Sequence, residues 1–138
     1  MPLILEIVTP ERKVLSEEVE HVVLPTENGG EIDVLPGHIP LMTMIEPGQL
    51  TYYKSGESES IAIDRGFIEV IGDRVHVLTE AAVEVDEIDP HALDTARQRA
   101  HEALEEARAS GEDPEVLEQL ETKARFTIVQ KLISESRR

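Results

Sequence analysis

The chain has 138 residues, enough for one compact domain or a small domain with an appendage. It contains no cysteine, which removes disulfides, thiolate metal sites and thiol nucleophiles together and fits a reducing compartment. Its net charge of −16 divides into −13 up to Glu87 (18 acids, 5 bases) and −3 from Ile88 onward (11 acids, 8 bases), so phosphate backbones repel it and nucleic acid is not an expected partner.

The apolar share is 40%, with two Phe, two Tyr and no Trp, so any core must be built from Val, Ile, Leu and Ala. No run of 18 apolar residues is present, and no membrane insertion is expected. The opening Met1-Pro2-Leu3-Ile4-Leu5-Glu6 lacks a basic region and meets an acid at once, unlike a signal peptide.

From the start, Leu3, Leu5 and Ile7 alternate with Ile4, Glu6 and Val8, which predicts a strand stopped by Thr9-Pro10-Glu11-Arg12-Lys13. Val19, His21 and Val23 alternate with Glu20, Val22 and Leu24 up to Pro25. Glu27-Asn28-Gly29-Gly30 is a turn. Short strands follow at Glu31–Leu35, Leu41–Ile45, Gln49–Tyr53, Ile61–Ile63 and Phe67–Ile71. A hairpin at Ile71-Gly72-Asp73-Arg74 leads into Val75–Leu78, and Ala81–Val85 closes the series. About nine strands with turns every 8–12 residues predict a sandwich or a flattened barrel. Aliphatic residues on both faces, as in Val22-Val23-Leu24, point to two packed sheets.

The pattern changes at Asp86-Glu87-Ile88-Asp89, which sets a boundary between 1–86 and 87–138. Asp89 suits a helix N-cap and Pro90 the first helical position. Leu93, Ala96, Ala100, Ala103 or Leu104, and Ala107 recur at helical spacing until Ala109-Ser110-Gly111-Glu112. Asp113-Pro114 repeats the opening, and Leu117, Leu120, Ala124, Ile128 and Leu132 form a second stripe. Two helices of about 20 residues joined by a short loop predict an antiparallel hairpin. Its first helix offers mainly Ala, which buries little area, so the hairpin either opens and straightens or stays folded on a thin seam. The bases of this second part are either a solvated helix face or a surface for an acidic partner.

Chemistry is sparse. Gly29-Gly30 lacks the Lys-Ser/Thr of a phosphate loop, no two His share metal-ligand spacing, and no Ser occupies a nucleophile elbow. Neither an enzyme, a metal nor a cofactor is expected. The rigid corner Leu35-Pro36-Gly37-His38-Ile39-Pro40-Leu41 stands out as a contact surface, with His38 expected to satisfy local backbone groups.

That corner, with its neighbours, resembles the epsilon subunit of bacterial F-type ATP synthases. Leu3-Glu6-Ile7-Val8-Thr9-Pro10, Gly30 to Leu41, Gly66-Phe67-Ile68-Glu69-Val70 and Val75-His76-Val77-Leu78 carry the resemblance; Asp33 and Arg65 depart from the usual small residue and Gly. It implies a β + α fold, a ten-strand β-sandwich followed by a C-terminal two-helix hairpin. It implies a non-catalytic central-stalk subunit of a proton-translocating synthase, peripheral at the cytoplasmic face of the inner membrane. The sandwich would bind the gamma subunit and the c-subunit ring, the latter through Glu31, Asp33 and His38. The hairpin would extend toward the alpha/beta catalytic hexamer and restrain ATP hydrolysis, with Arg97, Arg99, Arg108, Lys123 and Arg125 meeting acidic segments of beta. Some relatives bind ATP through Ile/Leu-Asp-x-x-Arg-Ala. Here Ile88, Asp89 and Arg99 match that site but Ala92 and Leu93 replace the motif Arg and Ala, so binding is expected to be weak or absent. Rival readings are a stand-alone nucleotide sensor, an acidic adaptor without a motor, and a hydrolase with an unrecognised site.

Overall fold

A computed structural model describes residues 2–136 of the chain, less the Asn28 side chain. The ten strands are β1 (Leu3–Val8), β2 (Lys13–Val19), β3 (His21–Pro25), β4 (Glu31–Val34), β5 (Leu41–Ile45), β6 (Gly48–Lys54), β7 (Glu57–Ile63), β8 (Gly66–Ile71), β9 (Arg74–Thr79) and β10 (Ala82–Glu84). They form two five-stranded sheets, ordered β2-β1-β9-β8-β5 and β10-β7-β6-β3-β4. All described neighbours are antiparallel except β1 and β9, which run parallel with Ile4 opposite Arg74 and Val8 opposite Leu78. This is a β-sandwich, and two helices follow it.

Period-two alternation explains the sandwich. Leu3, Leu5 and Ile7 of β1 are fully buried, as are Val75 and Val77 of β9 and Ile68 and Val70 of β8. Val22, Leu24, Val34, Leu50, Ile61 and Ile63 face them from the second sheet in one core cluster. Each such side chain contributes about 1.5–3 kcal/mol on burial. Thr79 fastens the sheets at one end: its hydroxyl accepts the Asp64 N–H at 3.1 Å and lies 3.0 and 3.1 Å from the Asp64 and Ala81 carbonyl oxygens. Gly66, at the start of β8, lets the backbone of β9 pass close. A Cβ there would stand 1.8 Å from the Leu78 carbonyl oxygen.

Strand β2 is absent from the strand list read off the sequence. Ser16-Glu17-Glu18 places three polar residues in a row, which hides the alternation, and Val14 and Leu15 are only partly buried against the core. The structure also breaks the run at Glu20, so Val19 ends one strand and His21 begins the next.

The chain divides into two compact units, Met1–Asp86 and Glu87–Arg138. The second holds α1 (Pro90–Ala109) and α2 (Pro114–Ser136). The Asp89 carboxylate accepts the His91 N–H at 3.0 Å, satisfying one open donor of the first turn. At the other end Gly111 takes φ 69°; its N–H donates to the Arg108 carbonyl (3.3 Å) and that of Glu112 to Ala107 (3.1 Å), a Schellman closure.

Burial along the helices differs in part from the expected stripes. Leu93, Leu104 and Ala107 are buried on α1, but Ala96 is exposed. On α2, Ile128 and Leu132 are 50% and 62% exposed, while Phe126, Thr127 and Ile133 are buried. Steps of four from Ala124 to Ile128 and Leu132 drift around the helix, and the face carrying Phe126 and Ile133, well round from Ile128, turns inward instead.

Candidate functional site

The registers of the β2-β1-β9-β8-β5 sheet place its outward side chains in rows. Glu6, His76, Glu69 and Met42 form one row across β1, β9, β8 and β5; Val8, Leu78, Phe67 and Met44 form the next. Beyond the polar row lie Ile4, Arg74 and Ile71. Met42 is 67% exposed, and Phe67, Leu78, Ile71 and Met44 are also exposed. Such a run of large apolar side chains on one sheet face marks a contact surface rather than a solvated one. A shallow cleft of about 460 Å³ opens in it, lined by Glu6, Val8, Met42, Phe67, Glu69, His76, Val77 and Leu78.

The polar row has its own electrostatics. Glu6 pairs with Lys13 at 3.2 Å and lies 3.5 Å from His76 Nδ1. The Lys13 ammonium, ahead of its partial desolvation and the nearby imidazole, holds the Glu6 carboxyl below its ordinary pKa. On the opposite sheet the Tyr52 phenol is pushed up, chiefly by burial and then by Glu59, Glu17 and Glu84.

Two of the residues expected to contact the ring, Glu31 and Asp33, are exposed and share the outward side of β4, since Ile32 and Val34 turn inward. Asp33 Oδ1 lies 2.8 Å from His21 Nδ1, and the His21 ring stacks on Tyr53 with centroids 4.1 Å apart. His38 is half-buried. Its N–H donates to the Leu35 carbonyl at 3.1 Å and its Nδ1 lies 2.7 Å from the Ile39 carbonyl, so it serves the local backbone as expected. Gly37, at φ 83°, makes the turn, and Leu35 and Ile39 project into solvent on either side.

The five bases named on the hairpin do not act alike. Arg97, Arg99 and Lys123 are exposed. Arg108 pairs with Glu121 on the facing helix at 3.4 Å and with Glu105 at 3.6 Å. Arg125 is half-buried and has a partner within the chain. A second bridge between the helices joins Lys131 to Asp94 at 3.8 Å. Of the nucleotide candidates, Ile88 is half-buried, Asp89 is engaged as the cap, and Arg99 lies ten residues further along, about 15 Å by helical rise. The described residues hold no group of three His, Asp or Glu able to bind a metal, and no described helix is long and apolar enough to cross a membrane.

The outward apolar rows escaped the sequence reading. The signal was in Phe67-Ile68-Glu69-Val70-Ile71, where both faces carry large apolar residues. Two-sided apolarity was read as two packed sheets, yet on this strand one side faces out.

Comparison with known proteins bears on this arrangement. Residues 2–85 match the family model of the ATP synthase Delta/Epsilon chain β-sandwich domain. The ATP synthase epsilon chain of Herpetosiphon aurantiacus is 47% identical over 113 residues, 82% of each chain. This chain belongs to the ATP synthase epsilon-chain family. The epsilon chain of Chloroflexus aggregans is 44% identical over 100 residues, covering 72% of this chain and 71% of that one. Among solved structures, a chain of the Euglena gracilis mitochondrial ATP synthase, determined with OSCP, F1 and the c-ring, matches with a TM-score of 0.63 and 29% identity. That match covers 95% of this chain and 80% of the other. The ten strands lie within the residues that match the family's β-sandwich domain, and α1 and α2 follow them.

Proposed function

We propose that this chain is a non-catalytic central-stalk subunit of a proton-translocating ATP synthase that couples ring rotation to the catalytic head and restrains ATP hydrolysis through its hairpin. The observation that carries the reading is the outward apolar face of β1, β9, β8 and β5, which a partner must cover if the exposed Met42, Phe67 and Leu78 are to leave water. The gamma subunit is the proposed occupant. Glu31, Asp33 and His38, at the β4 end of the other sheet, are assigned to the c-subunit ring. A solved structure of a similar chain, determined with F1 and the c-ring, supports partners within the synthase.

The hairpin is assigned to restraint. Its helices carry exposed Arg97, Arg99 and Lys123, which suit acidic segments of the catalytic hexamer. The clasps Arg108–Glu121 and Asp94–Lys131 are exposed pairs worth less than about 1 kcal/mol each, so opening costs little there. The subunit would sit at the cytoplasmic face of the bacterial inner membrane, held by its partners.

Steady-state ATP hydrolysis by the synthase, assembled with the full chain or with a chain ending at Glu87, tests this. Hydrolysis is expected to rise several-fold with the shorter chain while assembly is kept. Equal rates would sink the restraint, and loss of assembly would sink the assignment of binding to the sandwich.

A further inference from the structure

The polar row on the apolar face poses a problem for any partner that covers it. Glu6 is neutralised by Lys13 and lies beside His76. Glu69 has no such arrangement: its carboxylate makes no hydrogen bond or ion pair among the described residues. Its carboxylate is half-buried in the cleft, next to Met42 across one strand pair and His76 across the other, with Phe67 and Ile71 two residues away on the same side. In the free chain, water solvates it. Under a docked partner that water is lost, and an unmatched buried carboxylate costs several kcal/mol. A face that is meant to be covered must therefore meet a cation at this point.

We infer that the cleft around Glu69 is a socket for one cationic side chain of the docking partner, arginine in preference to lysine, set within an apolar segment. The inference rests on the docking reading above and adds the chemistry of its anchor. Leu78, Phe67 and Met42 offer a floor for the aliphatic stem, and the guanidinium plane can lie against Phe67 while its N–H groups reach the Glu69 oxygens. The other charges on this side do not compete for the place. Lys13 is taken by Glu6, His76 turns its Nδ1 to Glu6 at 3.5 Å, Arg74 stands in the next row opposite Ile71, and β5 contributes only Met42 and Met44. The excess of 13 negative charges up to Glu87 steers a basic segment toward the domain before it seats.

The test is the affinity of the full chain for the gamma chain of the same synthase, measured by titration calorimetry at two salt concentrations. Glu69→Gln keeps the shape of the side chain and removes its charge. It should weaken binding about tenfold and flatten the salt dependence. Phe67→Ala should weaken binding with the salt dependence kept. Glu57→Gln, on β7 of the other sheet, should change neither. Loss of affinity in Phe67→Ala but not in Glu69→Gln overturns the socket and leaves the docking face standing. No effect from either variant overturns both. An equal effect from Glu57→Gln shows general attraction by an acidic domain, and that also overturns the socket.

Discussion

Two residues govern the sandwich out of proportion to their size. Gly66 is not needed for its φ; it is needed because the backbone of β9 occupies the space of a side chain. An added methyl would meet the Leu78 carbonyl oxygen at 1.8 Å and the Thr79 Cα at 2.8 Å, and backbone in the middle of a sheet cannot swing aside. Gly66→Ala should therefore cost about 4 kcal/mol or more in urea unfolding of the chain, beyond the usual range for a point change. Gly72→Ala, with open space around it but φ 61°, should cost only about 1 kcal/mol. Glu6 works through charge. Because Lys13 lowers its pKa in the folded state, its contribution is present above the ordinary carboxylate pKa and fades as pH falls through the lowered value. Lys13→Ala should raise the Glu6 pKa toward the ordinary range, read by carboxyl NMR titration, and shift the acid limb of the unfolding curve to higher pH.

Elements depend on how their ends are closed. The cap of α1 is one carboxylate on one N–H, and its end is one glycine in a left-handed conformation. Asp89→Ala and Gly111→Ala should each lower the stability of the helical unit by about 1 kcal/mol, seen as loss of helical circular dichroism at lower temperature. Those ends were legible in the sequence because Asp-Pro and Ser-Gly can do little else at such places. The sides of the helices were less so. Spacing alone could not choose between two faces of α2, because Phe126 and Ile133 recur at helical spacing just as Ala124, Ile128 and Leu132 do. Strand β2 was missed for a related reason: a strand at a sheet edge tolerates Ser16-Glu17-Glu18, and its pairing with β1 through Leu5–Glu17 leaves no alternation to read. The corner at Pro36-Gly37-His38 was visible as a turn, but its neighbours in space were not. Nothing in the spacing joined Asp33 to His21, or set Glu69 beside Met42.

For the molecule as a whole, every member of the main core cluster lies between Leu3 and Val77. A chain ending at Asp86 should therefore fold alone and unfold in a single cooperative urea transition; a broad, non-cooperative loss of signal would contradict it. The same domain has a closing order built into it. β1 is the first strand made, yet its inner neighbour is β9, joined to it in parallel across nearly 70 residues of intervening chain (Leu5 beside Val75). Parallel pairing over that distance is slow to form, and here it cannot begin until β9 has been synthesised. Until then Leu3, Leu5 and Ile7 have only β2 beside them in their own sheet, although β3, β4, β6 and β7 of the second sheet are already made. Birth on the ribosome is thus the period of greatest hazard for this chain: any stall before Arg74 leaves an apolar strand waiting for a partner that has not yet been translated.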